Sequence, residues 1–329
     1  MKFICFDLEG PLSPQDNAYE LMKSIPNGGH IFEVISRYDD LITFERRENY
    51  EPGDTLALIA PFLISHGLPE EDIITLAGKA GLVQGAPDLI SALRVSRWQV
   101  YCISTSYEQY ARRISQRVGI SPHNIACTRF PLDSYRWSLE EENIALVKRA
   151  QQDLSFMTPE ADDKLIKERL DRFFYEEIPP TSLGRFMKEI TPVGGQRKVD
   201  ALNTFAVQSK CSLEDTVVIG DSITDFKMLK AVNEAGGLAV AFNANEYALP
   251  YATIGLASTH ISDLAPILNT WEKGNKRAVE ALVMENEKGG GEGDRAYFHW
   301  FRGREDFSEP LKIHKRIRNL VREEAGKLG

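Results

Sequence analysis

Long apolar runs are missing from this chain of 329 residues. The longest, Leu56 to Ile64, is nine residues with Pro61 inside it, too short to cross a bilayer. The first ten residues, MKFICFDLEG, already hold two acids and do not form the apolar core of a secretory signal. Cysteine is scarce, and Cys5, Cys102, Cys127 and Cys211 include no CxxC pair, so neither a zinc ribbon nor a dithiol redox motif is written here. Cys5, Cys102 and Cys127 fall in short β-like runs and read as small buried hydrophobes. Reduced thiols fit a cytoplasmic location. Positive charge is in deficit, 39 Lys and Arg against 48 Asp and Glu, for a net charge of −9. That balance is wrong for wrapping nucleic acid. No GxxxxGK[ST] occurs and no GxGxxG follows the first strand, which excludes a P-loop kinase and a Rossmann dehydrogenase. The six histidines show no metal-ligand spacing, and there is no internal repeat.

What is present is an ordinary globular composition, 43% hydrophobic and 26% charged. Five short runs have the look of buried parallel strands: Lys2 to Asp7, Gln99 to Ser104, Ile125 to Phe130, Thr216 to Asp221 and Gly237 to Phe242. Thr253 to Leu256 is a candidate sixth. Helical patterns at Tyr107 to Val118, Lys198 to Val207 and Thr224 to Asn233 alternate with them, as in an α/β fold with helices on both faces of a parallel sheet. Two insertions interrupt the alternation. Residues 14–85 hold four helix-like segments and read as a helical cap. Residues 133–195 are charged and helix-rich. The core is then 1–13, 86–132 and 196–287. Residues 288–329 are a Gly-rich linker, KGGGEGD, and a basic helical tail. From Ser308 onward the tail carries a net charge of +3. It is expected to dock on this acidic protein's own body, and it or the second insertion is the candidate surface for a protein partner.

The informative feature is where the acids fall. Strand one ends in Asp7-Leu8-Glu9-Gly10, strand two in Ser104-Thr105-Ser106, and strand four in Gly220-Asp221-Ser222-Ile223-Thr224-Asp225. Ligands of open parallel sheets bind beyond the carboxyl ends of the strands. Asp7, Glu9, Asp221 and Asp225 would meet there, at a high electrostatic cost unless a cation joins them. Hard oxygen donors without a nearby Cys or His suit Mg²⁺. Lys198, following Gly194-Gly195, is placed to balance a phosphoryl group, and the hydroxyls of Ser104 and Thr105 to contact its oxygens. Such a set fits phosphoryl transfer, in which positioning and charge neutralisation supply most of the catalysis.

These residues, in this order, resemble the haloacid dehalogenase (HAD) superfamily of phosphatases. Its DxD motif corresponds to Asp7-Leu8-Glu9, its strand-end Ser or Thr to Ser104, its Lys to Lys198, and its GDSxxD to Gly220 through Asp225. The early helical cap is similar to that of the phosphoserine phosphatase branch. The string FDLEGPLSPQDNAYEL is also similar to an uncharacterised archaeal HAD group labelled a subunit of energy-converting hydrogenase A. The resemblance implies a Rossmann-like core with strand order 3-2-1-4-5 and a small phosphate ester as substrate. It makes Asp7 the nucleophile and Glu9 the general acid/base. It gives Mg²⁺ to Asp7, Asp221, Asp225 and the backbone carbonyl of Glu9, and phosphoryl binding to Ser104, Thr105 and Lys198. Glu9 departs from the family's usual second Asp, which leaves hydrolysis and transfer to another hydroxyl both open. The competing expectation is a non-catalytic HAD-like subunit that binds a partner protein. Arg46 and Arg47 in the cap are candidates for a substrate carboxylate or for a solvated helix face.

Overall fold

A computed structural model of the protein describes residues 2–158, 162–273, 276–288 and 296–322. Seven strands form one sheet: β1 (Phe3–Phe6), β2 (Gln99–Tyr107), β3 (Ile125–Thr128), β4 (Thr216–Gly220), β5 (Leu238–Phe242), β6 (Ile254–Ala257) and β7 (Tyr297–Trp300). Their order is β3-β2-β1-β4-β5-β6-β7. The expected 3-2-1-4-5 order is present and continues through the candidate sixth strand. All pairings are parallel except β6 with β7, which is antiparallel. The sequence reading missed β7, a four-residue YFHW run standing alone beyond the Gly-rich stretch. That stretch, apart from Lys288, lies outside the described residues.

The strands' alternating side chains divide the interior into two cores. Ile4, Phe6, Val217, Ile219 and Val240 face one side. Phe3, Cys5, Val218, Ala239 and Ala241 face the other. Burial on both faces explains why β1, β4 and β5 read as continuous apolar runs. All four cysteines are free.

Between β1 and β2 the chain forms α1 (Asn17–Met22), α2 (Gly28–Phe44), α3 (Thr55–Ser65), α4 (Glu70–Lys79) and α5 (Ala86–Val95). The Asp16 side chain caps α1 by accepting from the Tyr19 amide at 2.9 Å. Helix α3 is the nine-residue apolar run, buried almost throughout among the neighbouring helices. Next come α6 (Glu108–Val118), α7 (Leu132–Trp137), α8 (Glu141–Ser155), α9 (Asp163–Asp171) and α10 (Ser182–Glu189). A π-helical turn, Arg172–Glu177, follows α9 and buries Phe173 and Phe174. The core resumes with α11 (Gln196–Ser209), α12 (Phe226–Glu234), α13 (Ala265–Glu272) and α14 (Lys276–Lys288), and α15 (Ser308–Arg322) closes the described chain.

The second insertion packs on the early helices rather than standing free. Arg37 pairs with Asp163 at 2.8 Å and Arg47 with Asp171 at 2.7 Å. The Tyr38 hydroxyl donates to Asp171 at 2.6 Å. Arg47 is thereby a brace between the two insertions, and its guanidinium does not line the cavity described below. Among the described residues no helix is long and apolar enough to cross a membrane.

Candidate active site

The carboxyl ends of β1, β2 and β4 lie side by side, so the residues just beyond them converge. The Asp7 amide donates to the Ile219 carbonyl at 2.8 Å, which extends the β1–β4 pairing by one residue and fixes the start of the loop. One carboxylate oxygen from each of Asp7, Asp221 and Asp225 lies within 4.8 Å of the others. These three acids are 3%, 1% and 0% exposed, so water does not screen them. Separated by more than two hundred residues in sequence, Asp7 and the other two meet because β4 pairs directly with β1.

Lys198 compensates part of this charge. It is fully buried, and its Nζ donates to Asp7 Oδ1 at 2.8 Å and to Asp225 Oδ1 at 2.7 Å. Burial works against its positive charge, but Asp225 and Asp7 outweigh that and raise its pKa. Burial, and after it the charge of Asp225, pushes the Asp7 carboxyl well above the ordinary carboxylate range, against the pull of Lys198. Asp225 has a second duty: its Oδ2 accepts from the amides of Asp221 at 3.0 Å and Ser222 at 3.2 Å, which closes the turn after β4. Gly220 is needed for that closure, since a Cβ there would lie 2.6 Å from the Asp225 side chain.

Glu9 is held apart from the trio. Its Oε1 accepts from the Asn17 amide at 2.8 Å and from the Ser106 hydroxyl at 2.7 Å. Burial, then the nearby Asp16, raises its pKa to about 7, against these two bonds and the Arg322 charge. A carboxyl group near neutrality can both give and take a proton. The Glu9 carboxylate is not part of the cation-sized cluster.

Strand β2 runs on to Tyr107, but its register against β3 shifts between Ile103 and Tyr107, so Ser104, Thr105 and Ser106 do not alternate regularly. Ser104 is fully buried and accepts from the Ser106 amide at 3.1 Å. Thr105 and Ser106 line the cavity and Ser104 does not. Thr105 donates to the Val193 carbonyl at 3.0 Å. Ser106, the residue after Thr105, is the hydroxyl that orients Glu9.

The cavity has about 140 Å³ of open space and is lined by Asp7, Glu9, Thr105, Ser106 and Asp221 on the sheet side and by Phe32, Ser36 and Leu56 from the early helices. Those helices are tied down over the sheet edge. Lys227 pairs with Glu51 at 2.8 Å, Arg197 pairs with Asp54, and the Tyr107 hydroxyl donates to the Leu56 carbonyl at 2.6 Å. Arg318 and Arg322 of α15 also line the cavity, and both bond Asp221 Oδ2. The sequence placed the tail against the body of the protein but gave no sign that it enters the site.

The haloacid dehalogenase-like hydrolase family matches residues 101–263. A solved gene product of Archaeoglobus fulgidus superposes with a TM-score of 0.87 at 29% identity, covering 100% of this chain and 99% of that one. The chain carries a haloacid dehalogenase-like hydrolase domain over residues 101–263. Phosphoserine phosphatase of A. fulgidus is 22% identical over 267 residues, 81% of this chain. The chain spans only 60% of that relative's length. A phosphoserine phosphatase solved in apo form aligns over 80% of this hydrolase and 98% of its own chain, with a TM-score of 0.45 and 17% identity.

A divalent cation is the group this family implies, and the buried donors fit it. The three-acid cluster is made of hard oxygen donors, and Asp221 Oδ1 is buried without a hydrogen-bond partner. An orphaned carboxylate oxygen of this kind is costly unless an ion or water completes it. Gly10 permits the close approach, with φ at +98° and its Cα so near Asp221 that an added Cβ would sit 2.2 Å from Oδ2. Gly10→Ala is expected to cost about 1–3 kcal/mol from the backbone alone and to displace Asp221. Chemical denaturation would show it, and an unchanged midpoint would count against the crowded geometry.

Proposed function

We propose that this hydrolase cleaves a small phosphomonoester through an aspartyl-phosphate on Asp7, with Mg²⁺ as the cofactor. The observation that carries the reading is the buried juxtaposition of Asp7, Asp221 and Asp225, with Lys198 bonded to Asp7 and Asp225, beside the Glu9 carboxyl poised near neutrality. In the first step an Asp7 oxygen attacks phosphorus, the bond from phosphorus to the ester oxygen breaks, and Glu9 gives its proton to the departing oxygen. In the second, Glu9 takes a proton from water as that water attacks phosphorus, which releases inorganic phosphate and restores Asp7. An alcohol in place of water would make the second step a phosphoryl transfer. Lys198 holds Asp7 in position, and Thr105 with Ser106 forms the β2 wall facing the phosphoryl oxygens. Asp7, Asp221 and Asp225, with the Glu9 carbonyl, would hold Mg²⁺, which supplies neutralisation of the phosphoryl charge when bound. The helices before β2 act as a cap that keeps bulk water from the phosphoenzyme. We divide the chain accordingly into a core (1–13, 86–132, 196–287), a cap (14–85), a bracing insertion (133–195) and a tail (288–329).

The test uses the full chain. With Mg²⁺ it should release phosphate from an aryl phosphate, and a chelator should reduce the rate at least about 100-fold, with recovery on adding the ion back. Mg²⁺ should also raise the thermal midpoint of the substrate-free protein, by linkage. Asp221→Asn should abolish that rise. Turnover unaffected by chelation would remove the cation from the proposal.

A further inference from the structure

The family match ends at residue 263, yet one wall of the cavity comes from residues far beyond it. Helix α15 presents His314, Arg318 and Arg322 on one face, at the four-residue spacing of successive turns. His314 anchors that face by accepting the Ala244 amide at 2.9 Å on Nδ1, in the loop after β5. Lys315 pairs with Glu246 of the same loop at 2.8 Å. Phe301 and Leu311 pack against the second core, below this contact. The helix is therefore seated by three contacts of its own, through Leu311, His314 and Lys315, and its two arginines are delivered to a fixed place.

That place is unusual in charge. Five of the charged residues lining the cavity are acids, and Arg318 and Arg322 are its two lining cations among the described residues. Both guanidinium groups are nearly closed to solvent, 3% and 7% exposed. Burying a guanidinium ion is costly unless its donors are matched by acceptors. Both reach the same Asp221 oxygen. Arg322 also donates from Nε to the Pro14 carbonyl at 3.1 Å. Arg318 Nε has no partner at all. Arg322 sits toward Glu9 and Asp16, whose charges act on it, which is the side of the cavity where an ester oxygen leaves under protonation by Glu9. Lys198 is fully buried and bonded to Asp7 and Asp225, so it is not free to serve that side.

We propose that Arg318 and Arg322 form an anion-recognition pair for the leaving-group half of the substrate, so that the tail helix selects phosphate esters carrying a second anionic group. This deepens the phosphoesterase reading and rests on it for the orientation of the substrate. Guanidinium donors suit a planar carboxylate or a second phosphate through paired hydrogen bonds.

The probes are two non-hydrolysable phosphonates, benzylphosphonate and its 4-carboxy derivative, titrated calorimetrically into the full chain with Mg²⁺. The wild type should bind the carboxylated probe about tenfold more tightly. In Arg322→Gln that ratio should fall to near parity, and Arg322→Lys, which keeps a point charge, should restore about threefold. Arg318→Gln should likewise lower it to about threefold, and the last two variants carry the test if Arg322→Gln does not fold. No preference in the wild type, or a full preference in Arg322→Gln, overturns the proposal. Phenyl phosphate turnover is followed in parallel. Turnover without preference would leave the hydrolase reading standing and sink the anion pair, whereas preference without turnover would do the reverse.

Discussion

Asp7→Asn should leave a folded protein whose phosphate release from an aryl ester is at least about 10³-fold slower than the wild type. The carboxamide keeps the shape of the side chain and an oxygen for the Lys198 ammonium, now 2.8 Å from Oδ1. What it removes is the nucleophile, and no other residue can replace an attacking oxygen at that position. Stability should change little, because one of three crowded buried acids becomes neutral while the Lys198 contact survives. Two readouts separate this role from a merely structural one. Rapidly quenched wild-type protein should carry a phosphoryl label that hydroxylamine removes, as an acyl phosphate does, and the variant should carry none. Its thermal midpoint should stay within a few degrees of the wild type. Turnover within about threefold of wild type would exclude Asp7 as the nucleophile.

The strand ends were legible in the sequence because parallel strands buried on both faces leave short, unbroken apolar runs, and because the acids sit immediately after those runs. Asp7, Asp221 and Asp225 could be placed together on that basis, before any distance was known, and Lys198 by its place after Gly194-Gly195. The register of β2 could not. Ser104, Thr105 and Ser106 are all small and polar, and only the pairing that carries β2 on to Tyr107 decides which of them faces the cavity. The partner of Glu9 was hidden for the same reason. Strand β7 was invisible because a run of four residues has too little periodicity to stand out, and its pairing partner β6 lies about forty residues earlier. The tail is the largest omission. Its amphipathic spacing announced a buried face, but a basic helix on an acidic protein has many places to dock. Nothing local in Arg318 or Arg322 distinguishes a surface arginine from one that reaches Asp221. Long-range contacts of this sort depend on β7 turning the chain back along the sheet, a step the sequence pattern did not contain.

Lys198→Met should be the most destabilising single substitution in the site, costing about 3–5 kcal/mol in chemical denaturation. The methionine fills a similar volume, so a cavity does not explain the loss. The cost comes from charge: Asp7 and Asp225 would remain buried, 3% and 0% exposed, with the ammonium that bonds both of them gone. Arg318 and Arg322 bond Asp221 and neither Asp7 nor Asp225, so their contacts do not replace the lost ammonium. Turnover should fall by at least about 100-fold as well, because Asp7 loses the contact that orients it. The physical cause can be isolated by a second substitution. Adding Asp225→Asn to Lys198→Met removes one of the stranded acids, and the double variant should recover part of the lost stability although it carries one more change. Removing both members of a buried ion pair is far less damaging than removing one. The turnover should not recover, since Asp225→Asn also dismantles the proposed cation site. If the double variant is instead as unstable as the sum of the two single variants, the two side chains act independently, and the electrostatic coupling between Lys198 and the acids does not hold this site together.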